Sequence, residues 1–175
     1  MTDEPSGLPV LVVGGPPGVG KSTVAGRIAA RRTRCVRLEM DDIRQFVAKG
    51  AEAAWRGADG AAQDALAATQ AIRLAEHYLL VGFDVVVTDV LLPAASATWL
   101  AADRPPLIVW LAVPVEEARK RARTRPVHLT WPEFDLLHEL AQPPAGAHVV
   151  DSSGSSVDEV AVIVSDIWAN GAAAS

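Results

Sequence analysis

The sequence has 175 residues, half of them apolar, which is enough to fill one compact core and too little for two ordinary domains. Its 16 Lys and Arg against 21 Asp and Glu leave a net charge of −5, a balance that argues against a protein coating nucleic acid by phosphate neutralisation. The single cysteine, Cys35, excludes an internal disulfide and a cysteine-rich zinc site.

The four histidines, His77, His128, His138 and His148, lack metal-ligand spacing, and His128 and His138 read as surface or lid residues. The acidic start Met1-Thr-Asp-Glu-Pro-Ser-Gly has no basic n-region of a signal peptide, and no run of about 18 apolar residues suggests a membrane span. The expectation is a cytoplasmic protein with no membrane partner.

In chain order, short apolar runs alternate with helical stretches, the pattern of a parallel sheet covered by helices on both faces. Strands are predicted at Pro9–Val13, Cys35–Leu38, Phe83–Thr88, Leu107–Ala112 and His148–Val150. Helices are predicted at Lys21–Arg31, Asp42–Lys49, Ala61–Val81, Ala95–Ala102 and Val115–Arg123. Two further helices start at capping boxes, Thr130-Trp-Pro-Glu133 and Ser156-Val-Asp-Glu159. With no repeat and no long linker, residues 1–175 read as one domain.

The most informative segment is Leu11-Val-Val-Gly-Gly-Pro-Pro-Gly-Val-Gly-Lys-Ser-Thr23. Between a strand and a helix, Gly15-x4-Gly20-Lys21-Ser22 fits a phosphate-binding loop. Gly15, Pro16, Pro17, Gly18, Val19 and Gly20 would wrap the phosphates, with Gly18 and Gly20 letting the backbone curl so that its N–H groups face them. The helix from Lys21 through Ser22 and Thr23 adds its positive N-terminus. Lys21 supplies a cation for the transferring phosphoryl and Ser22 a hydroxyl for Mg²⁺. A Rossmann dinucleotide site fits worse because the third glycine is missing. No Asn-Lys-x-Asp of a guanine-reading switch protein occurs, and the chain is short for a motor or remodelling ATPase.

The second strand runs into Leu38-Glu-Met-Asp41-Asp42-Ile-Arg44. A carboxylate at that strand end faces the ligand crevice, so Asp41 is the candidate general base, Arg44 the candidate grip on an acceptor, and Asp42 the helix N-cap. Asp89, just after the third predicted strand, is a candidate to hold Mg²⁺ beside Ser22 or to orient the acceptor. Arg119-Lys-Arg-Ala-Arg123-Thr-Arg125 concentrates five cations in seven residues, with Arg121 and Arg125 on one helical face and Arg119 and Arg123 on another. Asp151 and Ser152, after the last strand, are good turn and cap residues. Trp99, Trp110 and Trp168 read as core, whereas Trp55 and Trp131 border the acceptor region, and Gln70 and Arg73 read as a solvated helix face.

The phosphate loop followed by Asp41-Asp42-x-Arg44 resembles the polynucleotide 5′-kinases and related small P-loop kinases, including chloramphenicol phosphotransferase-like and zeta-toxin-like proteins. That resemblance implies an α/β three-layer fold, a five-stranded parallel sheet in the order 2-3-1-4-5, and a basic lid around residues 119–130. It also implies ATP with Mg²⁺, Asp41 as base, Arg44 on the acceptor, Arg121 and Arg125 of the lid on the transferring phosphoryl, and Asp151 and Ser152 beside the nucleotide's base. The apolar Val90-Leu-Leu-Pro93 stretch and the acidic balance favour a small hydroxyl acceptor over a polynucleotide end. A nucleotide-binding module without an acceptor stays open, as does the oligomeric state.

Overall fold

The computed structural model describes residues 7–124 and 129–172. Five strands make one parallel sheet: β1 (Leu11–Gly14), β2 (Cys35–Glu39), β3 (Asp84–Asp89), β4 (Leu107–Ala112) and β5 (His148–Asp151), ordered β2-β3-β1-β4-β5. The order and direction agree with expectation. Parallel neighbours require crossovers, and of the seven helices among the described residues the first six lie in them while the last follows the final strand. These are α1 (Lys21–Ala29), α2 (Met40–Arg44), α3 (Gly57–Leu80), α4 (Pro93–Leu100), α5 (Val115–Thr124), α6 (Trp131–Leu140) and α7 (Val157–Ala172).

Alternation along the strands splits the core into two layers. Val12, Val85, Val87, Ile108 and Trp110 point to one face, where they meet Ile43 of α2, the alanines of α3, and Ala95 and Trp99 of α4. Leu11, Val13, Val86, Val109 and Leu111 point to the other, against Ile28 of α1 and Val160, Val164 and Trp168 of α7. The three core tryptophans are between 1% and 4% exposed. In α3 the buried stripe is Ala67, Ala68, Ala71 and Ala75, small residues that let a long helix lie close to β3 and α4.

Two expectations need correction. The second helix ends at Arg44 rather than reaching Lys49, because the Arg44 side chain turns inward to carboxylates and the chain leaves helical geometry after Gln45. Asp42 is not its cap: β2 passes directly into α2, Glu39 holds the N-cap position, and Asp42 lies exposed in the first turn, where its charge suits the helix dipole. Both capping boxes form, Thr130 with Glu133 and Ser156 with Glu159. Among the described residues no helix is long and apolar enough to cross a membrane.

Candidate active site

The phosphate loop joins β1 to α1 at the carboxyl edge of the central strand. Gly18 (φ +79) has room for no side chain, since a Cβ there would lie 2.7 Å from the Ala118 carbonyl of α5. Gly20 (φ +103) is the left-handed residue that opens α1. Side chains occupy the loop's carbonyls: Lys21 Nζ donates to Gly15 (2.8 Å) and Pro16 (3.0 Å), Arg121 Nη1 donates to Val19 (3.1 Å), and His138 Nε2 lies 2.9 Å from the Pro17 oxygen. The N–H groups of Gly18, Val19 and Gly20 donate to no backbone carbonyl among the described residues. With the carbonyls held from outside, these amides and the α1 N-terminus are the groups left to meet an anion.

Burial lowers the Lys21 pKa to about 8, against the opposing pull of Asp41, Asp89 and Glu39. Those three acids therefore lie within electrostatic reach of the loop lysine, and they come from the ends of β2 and β3 and the start of α2. Ser22 Oγ donates to Glu39 Oε2 (2.9 Å), and Thr88 Oγ1 donates to the same oxygen. Glu39 Oε1 is buried and makes no hydrogen bond among the described residues, although Arg37 Nε pairs with it at 3.2 Å. Thr23 sits partly buried in the same first turn of α1. The carboxylate beside Ser22 is thus Glu39, whereas Asp89 belongs to a second group.

That second group is built around Arg44. Its Nε and Nη2 donate to Asp64 Oδ1 (3.0 and 2.5 Å), Nη2 also to Asp89 Oδ1 (2.8 Å), and Nη1 to Asp41 Oδ1 (3.1 Å). The Asp64 and Asp89 side chains are wholly buried and Asp41 is 82% exposed. The other Asp64 oxygen accepts the Ala95 N–H at the start of α4 (3.2 Å). Carboxylates raise the Arg44 pKa further above its ordinary range despite the opposing effect of burial, and burial raises that of Asp64. Asp89 Oδ2 is buried without a hydrogen-bond partner among the described residues.

The basic segment divides as the helical spacing predicts. Arg119 pairs with Asp135 of α6 (2.6 Å) and Arg123 lies over the Trp131 ring (5.9 Å). Arg121, on the opposite face, ties the phosphate loop to the turn after β5 through the Ser152 carbonyl (3.0 Å), and pairs with Glu117. Arg125 lies outside the described residues. Asp151 is exposed and closes a turn with the Ser153 N–H (2.8 Å), and Ser152 is buried. Trp55 packs on the core and Trp131 is 45% exposed; Gln70 and Arg73 face outward.

His138 departs from a surface reading: it is half-buried, packed on Phe134 (4.6 Å between centroids) and directed at the loop. Leu91 and Leu92 are 1% and 4% exposed. Their segment is apolar because it fills the core, so it carries no information about an acceptor. Glu39 and Asp64 were missed by motif reading, yet each left a signal. Glu39 stands two residues before Asp41 at a strand end. Asp64 is the one acid among the buried α3 residues, where an apolar side chain is the rule.

Compared with known protein families, residues 10–141 match the AAA domain. The chain belongs to that family. No curated protein matches this AAA domain protein. Its fold matches solved small P-loop kinases. An unliganded sugar kinase from Janibacter sp. HTCC2649 superposes with a TM-score of 0.68 at 19% identity, covering 93% of this chain and 97% of the other. A gluconokinase from Sinorhizobium meliloti 1021 gives 0.68 at 20% identity, covering 99% and 96%. Shikimate kinase from Acinetobacter baumannii, in complex with shikimate, gives 0.59 at 16% identity, covering 94% of each.

Proposed function

We propose that this AAA domain protein is a phosphotransferase that moves the γ-phosphoryl of ATP to a hydroxyl of a small molecule. The observation that carries the reading is the convergence of a half-buried lysine, a glycine loop with open amides and the Asp41–Arg44–Asp89 group at one edge of the sheet. In the reaction the acceptor oxygen bonds to the γ-phosphorus as the bond to the bridging β–γ oxygen breaks, so ADP leaves with that oxygen. Asp41, exposed and near Lys21, takes the hydroxyl proton. Lys21 and the loop amides hold the charge of the transferring group, and Arg44 holds Asp41 and Asp89 in register.

The oxygen donors beside the loop fit Mg²⁺, which keeps several waters and takes few protein ligands. Among the described residues no cluster of three or more His, Cys, Asp or Glu forms a closed cage. Ser22 and Glu39 would hold the ion, Glu39 with a buried oxygen that makes no hydrogen bond. When bound, it would neutralise phosphate charge. Asp89, tied to Arg44, then serves the acceptor side. Arg121, Asp151 and Ser152 border the nucleotide's base.

The test is acceptor-dependent ADP release from ATP·Mg²⁺ across small hydroxyl compounds, with a 5′-hydroxyl oligonucleotide alongside. Asp41→Asn is expected to keep nucleotide affinity within about twofold and to lose transfer by about a hundredfold or more. Full transfer by that variant would remove Asp41 from the chemistry. Slow hydrolysis with no acceptor would leave a nucleotide-binding module.

A further inference from the structure

We infer that the acceptor carries no anionic group: it is a neutral or amine-bearing hydroxyl compound, and carboxylates and phosphates are turned away. This rests on the phosphotransferase reading and specifies its substrate class. Gripping a carboxylate or phosphate takes a pair of parallel N–H groups from an arginine, or a cation not already matched. Arg44 has committed its Nε, both Nη2 protons and one Nη1 proton to Asp64, Asp89 and Asp41. A single Nη1 proton is left.

The charge of this end is negative as well. Three acids, Asp41, Asp64 and Asp89, outnumber the two cations within their reach, Arg44 and Lys21, and Lys21 is committed to the phosphate loop. Of the other cations near the cleft among the described residues, Lys21 donates to loop carbonyls, Arg37 pairs with Glu39, Arg56 with Glu52 (3.6 Å) and Glu133 (3.9 Å), Arg119 with Asp135, and Arg123 lies over the Trp131 ring. ATP·Mg²⁺ in the adjoining half adds further negative charge, so an anion beside it meets repulsion.

An independent observation points to what does fit. Asp89 Oδ2 is a buried acceptor without a partner among the described residues, in a side chain that is wholly buried. Leaving such an atom unmatched is costly, and a ligand O–H or N–H would satisfy it where a carboxylate or phosphate oxygen would not. The gluconokinase and shikimate kinase folds above are named for carboxylate-bearing compounds. The fold is shared, and the residues around Arg44 argue for a different partner here.

The first measurement is transfer to sets of acceptors matched except for charge: sugar, amino sugar and sugar acid, or nucleoside and nucleotide. In whichever set is used, the member without an anion is expected to have kcat/KM at least about tenfold above the anionic one. Preference for the anionic member overturns the inference. The second measurement needs no turnover. Wild-type protein filled with a non-hydrolysable ATP analogue and Mg²⁺ is titrated calorimetrically with gluconate and shikimate. Absence of saturable binding in the millimolar range is the expected result, and saturable binding of either overturns it. If the analogue binds, the carboxylates do not, and no acceptor is ever phosphorylated, the phosphotransferase reading falls while the charge assignment stands.

Discussion

Lys21 shows how a single residue can be read from sequence for its type and from structure for its chemistry. Its place after Gly20 makes it the candidate phosphate lysine, but only burial brings its pKa down to about 8. A polyphosphate binds the charged form, so above that pKa a proton must first be taken up. Nucleotide affinity is therefore expected to hold near pH 7 and to weaken by about tenfold by pH 9, measured by calorimetry with ADP·Mg²⁺. Lys21→Met should bind weakly at both values and lose that dependence. For folding the sign is opposite: burying the charged lysine is a cost at neutral pH that disappears as pH rises from 8 toward the ordinary 10.5. Cys35 is shifted as well, its thiol raised to about 11 chiefly by burial, so at neutral pH it stays protonated and unreactive.

At the scale of elements, two side chains connect helices to the site. Asp64 joins α3 to Arg44 of α2 and to the first turn of α4. Asp64→Ala would leave Arg44 with less compensation in a buried place, and a loss of about 3 kcal/mol is expected in urea unfolding. Asp64→Asn keeps the contact to Ala95 and should lose less. His138 joins α6 to the phosphate loop at the Pro17 oxygen. His138→Ala is expected to weaken ADP·Mg²⁺ binding several-fold, in line with about 1 kcal/mol for one hydrogen bond. His138→Gln, which can still donate, should recover most of it; equal weakening by both variants would show that the bond does not shape the loop.

For the whole molecule, the sheet makes the site a property of tertiary assembly. The loop, Glu39, Asp41 and Asp89 lie at the carboxyl ends of β1, β2 and β3, where parallel strands in the order β2-β3-β1 bring them side by side. A ligand that binds there holds the folded state. At ADP·Mg²⁺ about a hundredfold above its Kd, a stabilisation of about 2.7 kcal/mol is expected, which corresponds to a rise of about 5–10 °C in Tm for a chain of this size. Lys21→Ala should show little of that rise, as calorimetry or dye-based melting would report.

The sequence by itself determined the layered α/β fold, the position of the phosphate loop and the two capping boxes. Each depends on neighbours along the chain: glycines where φ must be positive, apolar runs of strand length, and Ser or Thr three residues before Glu. Asp41 and Arg44 were visible for the same reason, as a spacing within one turn of helix. Tertiary structure alone decided the rest. That Glu39 faces Ser22, that Asp64 and Asp89 engage Arg44, and that His138 meets Pro17 are contacts between residues 17 to 121 positions apart. No local pattern encodes such pairings, because burial and charge compensation act on what folding brings together. The same reason applies to Leu91 and Leu92, whose apolar character belongs to the core.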